Sequence, residues 1–351
     1  MITGKMKARR LIFLFAVIAV FVTGCRRREL EYGNATINLH LNIHLNVRVN
    51  GVIQELPAPE MMRVMFFDYA TYDLITETYL PPEGGRVSLP PGKYKFIAYN
   101  FDTESTLLRN DRNYYSIEAY TNEITTAMKS SILNSIRYGR SATRASENEG
   151  VDDWTVILNE IQDNLVIYEP DHLFVSHQDI EVLNIEEDQT IEAEAETIIE
   201  TWKISVRIKN SQYMASAKAL LTGQIASNFI GFPKEEGKTD TDVTLLFDMS
   251  AGTDLEYNDI VVGQFNTFGK NPHVESRLWL TIVIKTVDGE MLEWHRDITD
   301  EFFTEIALED QEIYIEDEID IPEPDPGTQV GGGGFQPGVD EWEVEDIPID
   351  I

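Results

Sequence analysis

The chain has 351 residues, 42% of them hydrophobic, and carries 61 acidic against 28 basic side chains for a formal net charge of −33. That length and apolar share support about two packed domains and exclude a disordered polymer, while the charge repels nucleic acid and anionic headgroups and speaks against a nucleic-acid role. With a single cysteine, Cys25, no disulfide framework is available, so the folded body rests on packing alone.

Lys5, Lys7, Arg9 and Arg10 precede an apolar run from Leu11 to Val22 and then small residues. A charged start, a short apolar core and a small-residue cleavage site are the signature of an export signal. The run is shorter than the ~20 residues that span a bilayer. Val22-Thr23-Gly24-Cys25 resembles the bacterial lipobox, in which the cysteine becomes the lipid-carrying first residue of the mature protein. Residues 1–24 are then a removable signal and 25–35 a lipid-anchored spacer. The expected covalent groups are a diacylglycerol and an N-acyl lipid on Cys25, with no other cofactor.

From Thr36 to Asn50 the alternation is unbroken: Ile37, Leu39, Leu41, Ile43, Leu45, Val47 and Val49 fall on one face, with polar residues on the other. Period two over that length predicts a strand with one buried face, and Asn50-Gly51 predicts a tight turn folding Val52-Ile53 back. Met61–Tyr69, Arg86–Leu89 and Lys93–Asn100 are further strands separated by Pro/Gly turns, with Tyr94, Phe96 and Ala98 on one face. Short strands at this spacing predict a β-sandwich. Ile124, Met128, Ile132 and Ile136 recur at i+4 steps, which predicts an amphipathic helix over Thr125–Tyr138. A polar loop with Arg137, Arg140 and Arg144 follows. Strands resume at Val156–Leu158, Leu165–Tyr168 and Leu173–Val175, and Thr190–Thr201 closes an N-terminal domain spanning 36–200.

Trp202–Lys209 opens a second block, 201–321, with Ile204, Val206 and Ile208 alternating against polar residues. Ala217–Leu221, Val243–Phe247, Leu278–Ile284 and Met291–Ile298 supply its other strands, the last two joined by a turn at Val287–Glu290. Both blocks open on a long alternating strand, which hints at two similar domains. Residues 322–351 contain no basic side chain. Pro322–Pro326 and Gly331–Gly334 have linker composition, and beyond them Trp342, Val344, Ile347, Ile349 and Ile351 restore a strand-like pattern among acids. This tail is a candidate strand-docking segment, able to close its own sheet or add to a neighbour's edge.

Motifs that carry chemistry are missing. His40 and His44 share a strand face but stand roughly 13 Å apart, too far to share a zinc ion. His172 and His177 point to opposite faces of a strand. Gly237-Lys238-Thr239 lacks the glycine spacing of a phosphate-binding loop. Neither a nucleophile elbow nor a His-Glu-x-x-His pair is present, and with 61 acids chance carboxylate pairs are uninformative. No catalytic or metal site is expected.

Taken together, Val-Thr-Gly-Cys at 22–25, Leu-Pro-Pro-Gly-Lys-Tyr-Lys-Phe-Ile-Ala-Tyr-Asn at 89–100, Leu-Thr-Gly-Gln-Ile-Ala-Ser at 221–227, and the Gly-rich linker with Val-Asp-Glu-Trp at 339–342 resemble the fimbrillin-like lipoproteins of Bacteroidales. These form the fimbrial anchor and minor-subunit group of the type V pilus system. The resemblance spans most of the mature chain. It implies an all-β protein of two tandem transthyretin-like Greek-key β-sandwich domains. The implied partners are other fimbrial subunits and, through the lipid, the outer membrane, with the protein on the cell surface, no enzymatic activity and no nucleic-acid partner. In stalk subunits of that system, arginine-specific cleavage removes an N-terminal segment. Here the arginine cluster lies inside the first domain, which favours an anchor or minor subunit. The basic start Arg26–Arg28 leaves open which face of the membrane the protein occupies. A second reading is a surface glycan-binding lipoprotein serving nutrient uptake, with Trp154, Trp279, Trp294 and Trp342 stacking on sugars.

Overall fold

The structure, a computed structural model, describes residues 33–138, 140–141, 161–184, 188–254, 256, 258–270 and 278–324. The fold is all-β, with strands gathered into two large curled sheets and only short helices beside them.

The long alternating run forms β1 (Ala35–Ile43), β2 (Asn46–Val49) and, after the turn, β3 (Val52–Glu55). It is interrupted at His44-Leu45 and does not continue unbroken to Asn50. His44 N–H still donates to Ala195 O on the neighbouring strand, but Leu45 O already accepts from Leu56 N–H inside the hairpin. Asn50 and Gly51 both take positive φ, 54° and 66°, the backbone a two-residue hairpin of matching twist requires.

β4 (Met62–Asp68), β5 (Leu74–Leu80), β6 (Gly84–Leu89) and β7 (Gly92–Asn100) follow. The first large sheet is completed by β12 (Phe174–Val182) and β13 (Gln189–Thr197), in the order β5-β4-β7-β12-β13-β1-β6. β5 and β6 are consecutive in the chain yet end opposite edges of that order, so the sheet curls into a half-barrel. Its interior holds Ile37, Leu39, Met62, Phe66, Phe96 and Ile180 among others. β4 and β7 are buried on both faces, because Met65, Phe67, Ile97 and Tyr99 enter a separate core outside the barrel. Their near-continuous apolar sequence reflects that double burial.

Between β7 and β12 the chain makes an excursion: β8 (Thr106–Arg109), β9 (Glu118–Thr121), α1 (Thr126–Tyr138), β10 (Arg140–Ser141) and β11 (Leu165–Tyr168). The β8–β9 part packs on the outer face of the first sheet, while α1, β10 and β11 lie against the second sheet. That sheet comprises β14 (Glu200–Lys209), β15 (Met214–Ile225), β17 (Asp242–Thr253), β18 (Asp259–Thr267), β19 (Trp279–Thr286), β20 (Met291–Asp297) and β21 (Glu312–Asp320). The short β16 (Ser227–Phe229) instead joins β9 and β8 in a three-stranded sheet. Two short helices, α2 (Thr299–Phe302) and α3 (Glu305–Asp310), lead into β21.

β17 changes partner along its length. Asp242–Met249 pairs with β15 and Ser250–Thr253 with β18, so the second sheet turns a corner and packs on itself as a sandwich. Trp202, Ile204, Val206, Phe247, Phe265 and Trp294 lie in the core between its layers. On the outer face β10 pairs with β20, β11 pairs parallel to β17, and Ile124, Ile132 and Ile136 of the α1 region pack on Leu220, Leu246 and Val283.

The two halves share one topological device. In the first, opening strand β1 runs parallel to closing strand β13; in the second, opening strand β14 runs parallel to closing strand β21. Thr190–Thr201, expected as one strand, breaks at Ile198-Ile199, where the chain leaves β13 for β14. Strands β5, β8, β9, β16, β18 and β21 and helices α2 and α3 are additions to the sequence reading, and β10 forms where a polar loop was expected; Val156–Leu158 lies outside the described residues.

Candidate functional site

Register fixes where the chain enters and leaves. β13 ends at Thr197 beside the second half, and β1 lies parallel to it from Ile37 opposite Gln189 to Ile43 opposite Ala195. β1 therefore begins at the end of the first half remote from the second. β14 starts at Glu200 beside the first half, and parallel β21 follows it from Glu312 opposite Lys203 to Asp320 opposite Lys209. β21 therefore ends at the remote end of the second half. The residues leading to Cys25 and those leading to the tail attach at opposite poles. Strands of nine to ten residues span ~30 Å each. Val22, Thr23, Gly24, Cys25, Trp342, Val344, Ile347, Ile349 and Ile351 themselves lie outside the described residues.

Two sheet edges differ in chemistry. β21 presents Glu316, Glu318 and Asp320 at the edge of the second sheet, and a charged edge resists indiscriminate strand pairing. β5 ends the first sheet order with Ile75 and Tyr79 about half exposed. Tyr79 packs edge-on against exposed Phe101, 5.2 Å between ring centres. Arg63 holds this edge in place through Glu77 of β5, the Tyr99 hydroxyl (2.6 Å) and Asp111 (2.8 Å). An apolar edge of this kind accepts an added strand.

The junction between the halves is a hydrogen-bonded lock. Thr201 Oγ1 donates to Asn266 Oδ1 (2.8 Å), so it accepts from His172 Nε2 (3.0 Å); His172 Nδ1 is then the acceptor for the Thr197 hydroxyl (3.0 Å). The ring thus ties the end of β13 to the start of β14 as a neutral imidazole. Burial, then the nearby Lys234 ammonium, push its pKa down to about 4. Glu169 accepts from Asn266 N–H (3.0 Å), and burial raises its pKa to about 7 despite that bond. Asp171 caps the backbone of Glu104 and Ser105 (2.7 and 2.5 Å), and Glu118 of β9 bonds both Arg109 and Ser227 of β16. Around these polar ties lies an apolar seam drawn from both halves, with Phe67, Tyr99, Ile117, Ile199, Ile225 and Phe268.

The β2–β3 hairpin reaches across as a strap. Gly51 N–H donates to Asp310 O (3.1 Å), and Arg48 lies 3.7 Å from Glu309 and 3.9 Å from Asp310 at the α3–β21 corner.

Residues singled out in the sequence take structural places. His40 and His44 pair separately with Glu192 and Glu194 of β13 (3.2 and 2.7 Å). Lys238 of the Gly-Lys-Thr stretch is buried between Glu200 (3.0 Å) and Glu235 (2.7 Å). Trp279 and Trp294 are buried in packing, which removes them as sugar platforms; Trp154 and Trp342 lie outside the described residues. Sequence reasoning missed a box of aromatic rings around Lys95: its Nζ lies 4.9, 5.3, 5.5 and 5.9 Å from the ring centres of Tyr114, Tyr115, Tyr69 and Tyr72, and donates to Asp179 (2.8 Å). Burial alone would lower the lysine pKa, but the bonds to Asp179 and Tyr115 outweigh it and raise the value. The chain's own ammonium fills the box, so it acts as a clamp joining β7, β12 and the loops around them.

Comparisons with known proteins give a consistent neighbourhood. A family model described as "Domain of unknown function (DUF5119)" matches residues 24–248. A curated relative from Bacteroides ovatus, "Putative fimbrium anchoring subunit Fim4B", is 23% identical over 93% of both chains. A crystal structure of "a putative adhesin from Bacteroides ovatus ATCC 8483" superposes with a TM-score of 0.56 at 20% identity, covering 86% of this chain and 98% of that one. The fimbrial anchor protein Mfa2 from Porphyromonas gingivalis gives a TM-score of 0.43 at 12% identity, covering 81% and 91%.

Proposed function

This chain belongs to the DUF5119 family, and from that premise we propose that it is a lipid-tethered fimbrial subunit that anchors or builds a fimbria at the outer membrane and serves adhesion. The observation that carries the reading is the opposition of the poles: the lipobox side joins β1 at one end, and the acidic tail leaves β21 at the other. A tether needs that arrangement, because load entering at one end must leave at the other. The locked junction supports it, since several segments cross between the halves and no single linker bears the load. The name of the curated relative, a fimbrium anchoring subunit, points the same way.

In this reading the partners are other fimbrial subunits, docked by strand addition at an apolar edge such as β5 or through the tail segment. Its only cofactors are the diacylglycerol and N-acyl groups on Cys25. The role is structural and needs no catalytic group. The divisions 1–24, 25–35, 36–200, 201–321 and 322–351 serve as its working units, with the described residues between Thr106 and Tyr168 packed across the boundary. Deleting the gene is expected to abolish fimbriae or release them from the cell, seen by electron microscopy. Fimbriae of unchanged number, length and attachment would sink the proposal.

A further inference from the structure

A groove of about 240 Å³ runs between α1 and the outer face of the second sandwich. Ile132, Leu220, Leu246, Val283 and Met291 form its apolar wall, and its polar rim consists of serines together with Lys218 and Lys285. Among the described residues, none of the lining side chains is a carboxylate, in a chain with 61 of them. Lys218 pairs with Asp248, which lies outside the lining. The volume is below the ~300–1,000 Å³ of small-molecule sites, so it suits the side chains of a peptide better than a cofactor.

The groove opens beside the point where the chain leaves β21. Asn210 Nδ2 donates to Ile321 O (2.8 Å), Tyr213 N–H donates to Asn210 O (2.9 Å), and Val287 N–H donates to Tyr213 O (2.9 Å). Val287 begins the turn whose Gly289 lines the groove. From Ile321 to Val339 there are 17 intervening residues. A chain of that length reaches ~20–25 Å in the root mean square, more than the ~10 Å between packed sheets.

We propose that Val339–Ile351 of the same chain docks in this groove. As an extended segment, Ile347, Ile349 and Ile351 share one face and meet the apolar wall, while Asp346 and Asp350 fall towards the lysine rim. The short tether supplies an effective concentration in the millimolar range, so a segment of weak intrinsic affinity is held in cis until a partner takes it. The inference rests on the groove and the tail sequence and does not require the fimbrial reading.

Cross-linking tests it in the full chain carrying Cys25→Ser. Ile349→Cys is combined with Ser131→Cys or Ser135→Cys, both on the α1 side of the groove, or with Ser88→Cys on the first sandwich as control, and each protein is treated with a short bis-maleimide. Docking predicts intramolecular cross-links at position 131 or 135 about tenfold above the control, reduced severalfold by Lys285→Glu. Cross-linked dimers alone, rising with protein concentration, would overturn docking in cis and assign the groove to a second copy's tail. Equal yield at all three positions, or none, would overturn the groove as the tail's site.

Discussion

Glu169 and His172 sit three residues apart in the junction, and their pKa shifts have opposite signs. A histidine lowered from 6.5 to about 4 binds its proton more readily when unfolded, so its stabilisation is complete above pH ~6.5 and is lost as pH falls towards 4. A glutamate raised from 4.5 to about 7 binds its proton more readily when folded, so its stabilisation is complete below pH ~4.5 and is lost as pH rises towards 7. The two slopes offset each other. Relative to the parent chain, Glu169→Gln is expected to lose about 2 kcal/mol on going from pH 7 to 4.5, and His172→Gln to gain a similar amount; urea unfolding at the two pH values measures both. Gly84 supplies a second residue-level test. It holds φ at +99°, and an added Cβ would lie 2.0 Å from Leu39 O, so Gly84→Ala is expected to cost about 2 kcal/mol or more in the same assay by parting β6 from β1. Neither effect is readable from sequence. His172 in Asp-His-Leu looks like any loop histidine until Thr197 and Thr201 close on it.

Among the elements, strands with one buried face or a near-continuous apolar run, such as β4 and β7, were legible, and those with interrupted or half-covered patterns were not. β1 alternates cleanly because one face meets a core and the other meets water, and β14 because its second face carries polar side chains, buried at Thr201 and Ser205 and half-buried at Lys203 and Arg207. β21 escaped notice because Asp317 stands where its alternation calls for an apolar residue: the pairing skips from Ile315 opposite Val206 to Glu318 opposite Arg207, and the next buried residue, Ile319, follows four positions after Ile315. β5 gave little signal because both its faces are only partly covered. The hairpin turn at Asn50-Gly51 was legible, since two positive φ angles in succession favour this dipeptide. What lay beyond reach was its destination on the second sandwich. Gly51→Pro would remove the N–H bonded to Asp310 O and forbid the positive φ. It is expected to split a single calorimetric melting transition into two as the halves uncouple; one unsplit transition would show that the strap is dispensable.

For the whole molecule, the all-β class was visible in the alternating strands that run through both blocks. The parallel closing of first strand on last was not, because it depends on contacts about 110 to 150 residues apart. That closure places the Cys25 side and the tail side at opposite poles, and in the proposed function Cys25 is the membrane end of a tether. The most direct test is Cys25→Ser in the living cell, with fimbriae and this chain followed through cell and medium fractions. A tether predicts that both leave the cells and sediment together from the medium. Fimbriae that stay attached to cells carrying only the Cys25→Ser chain would contradict it.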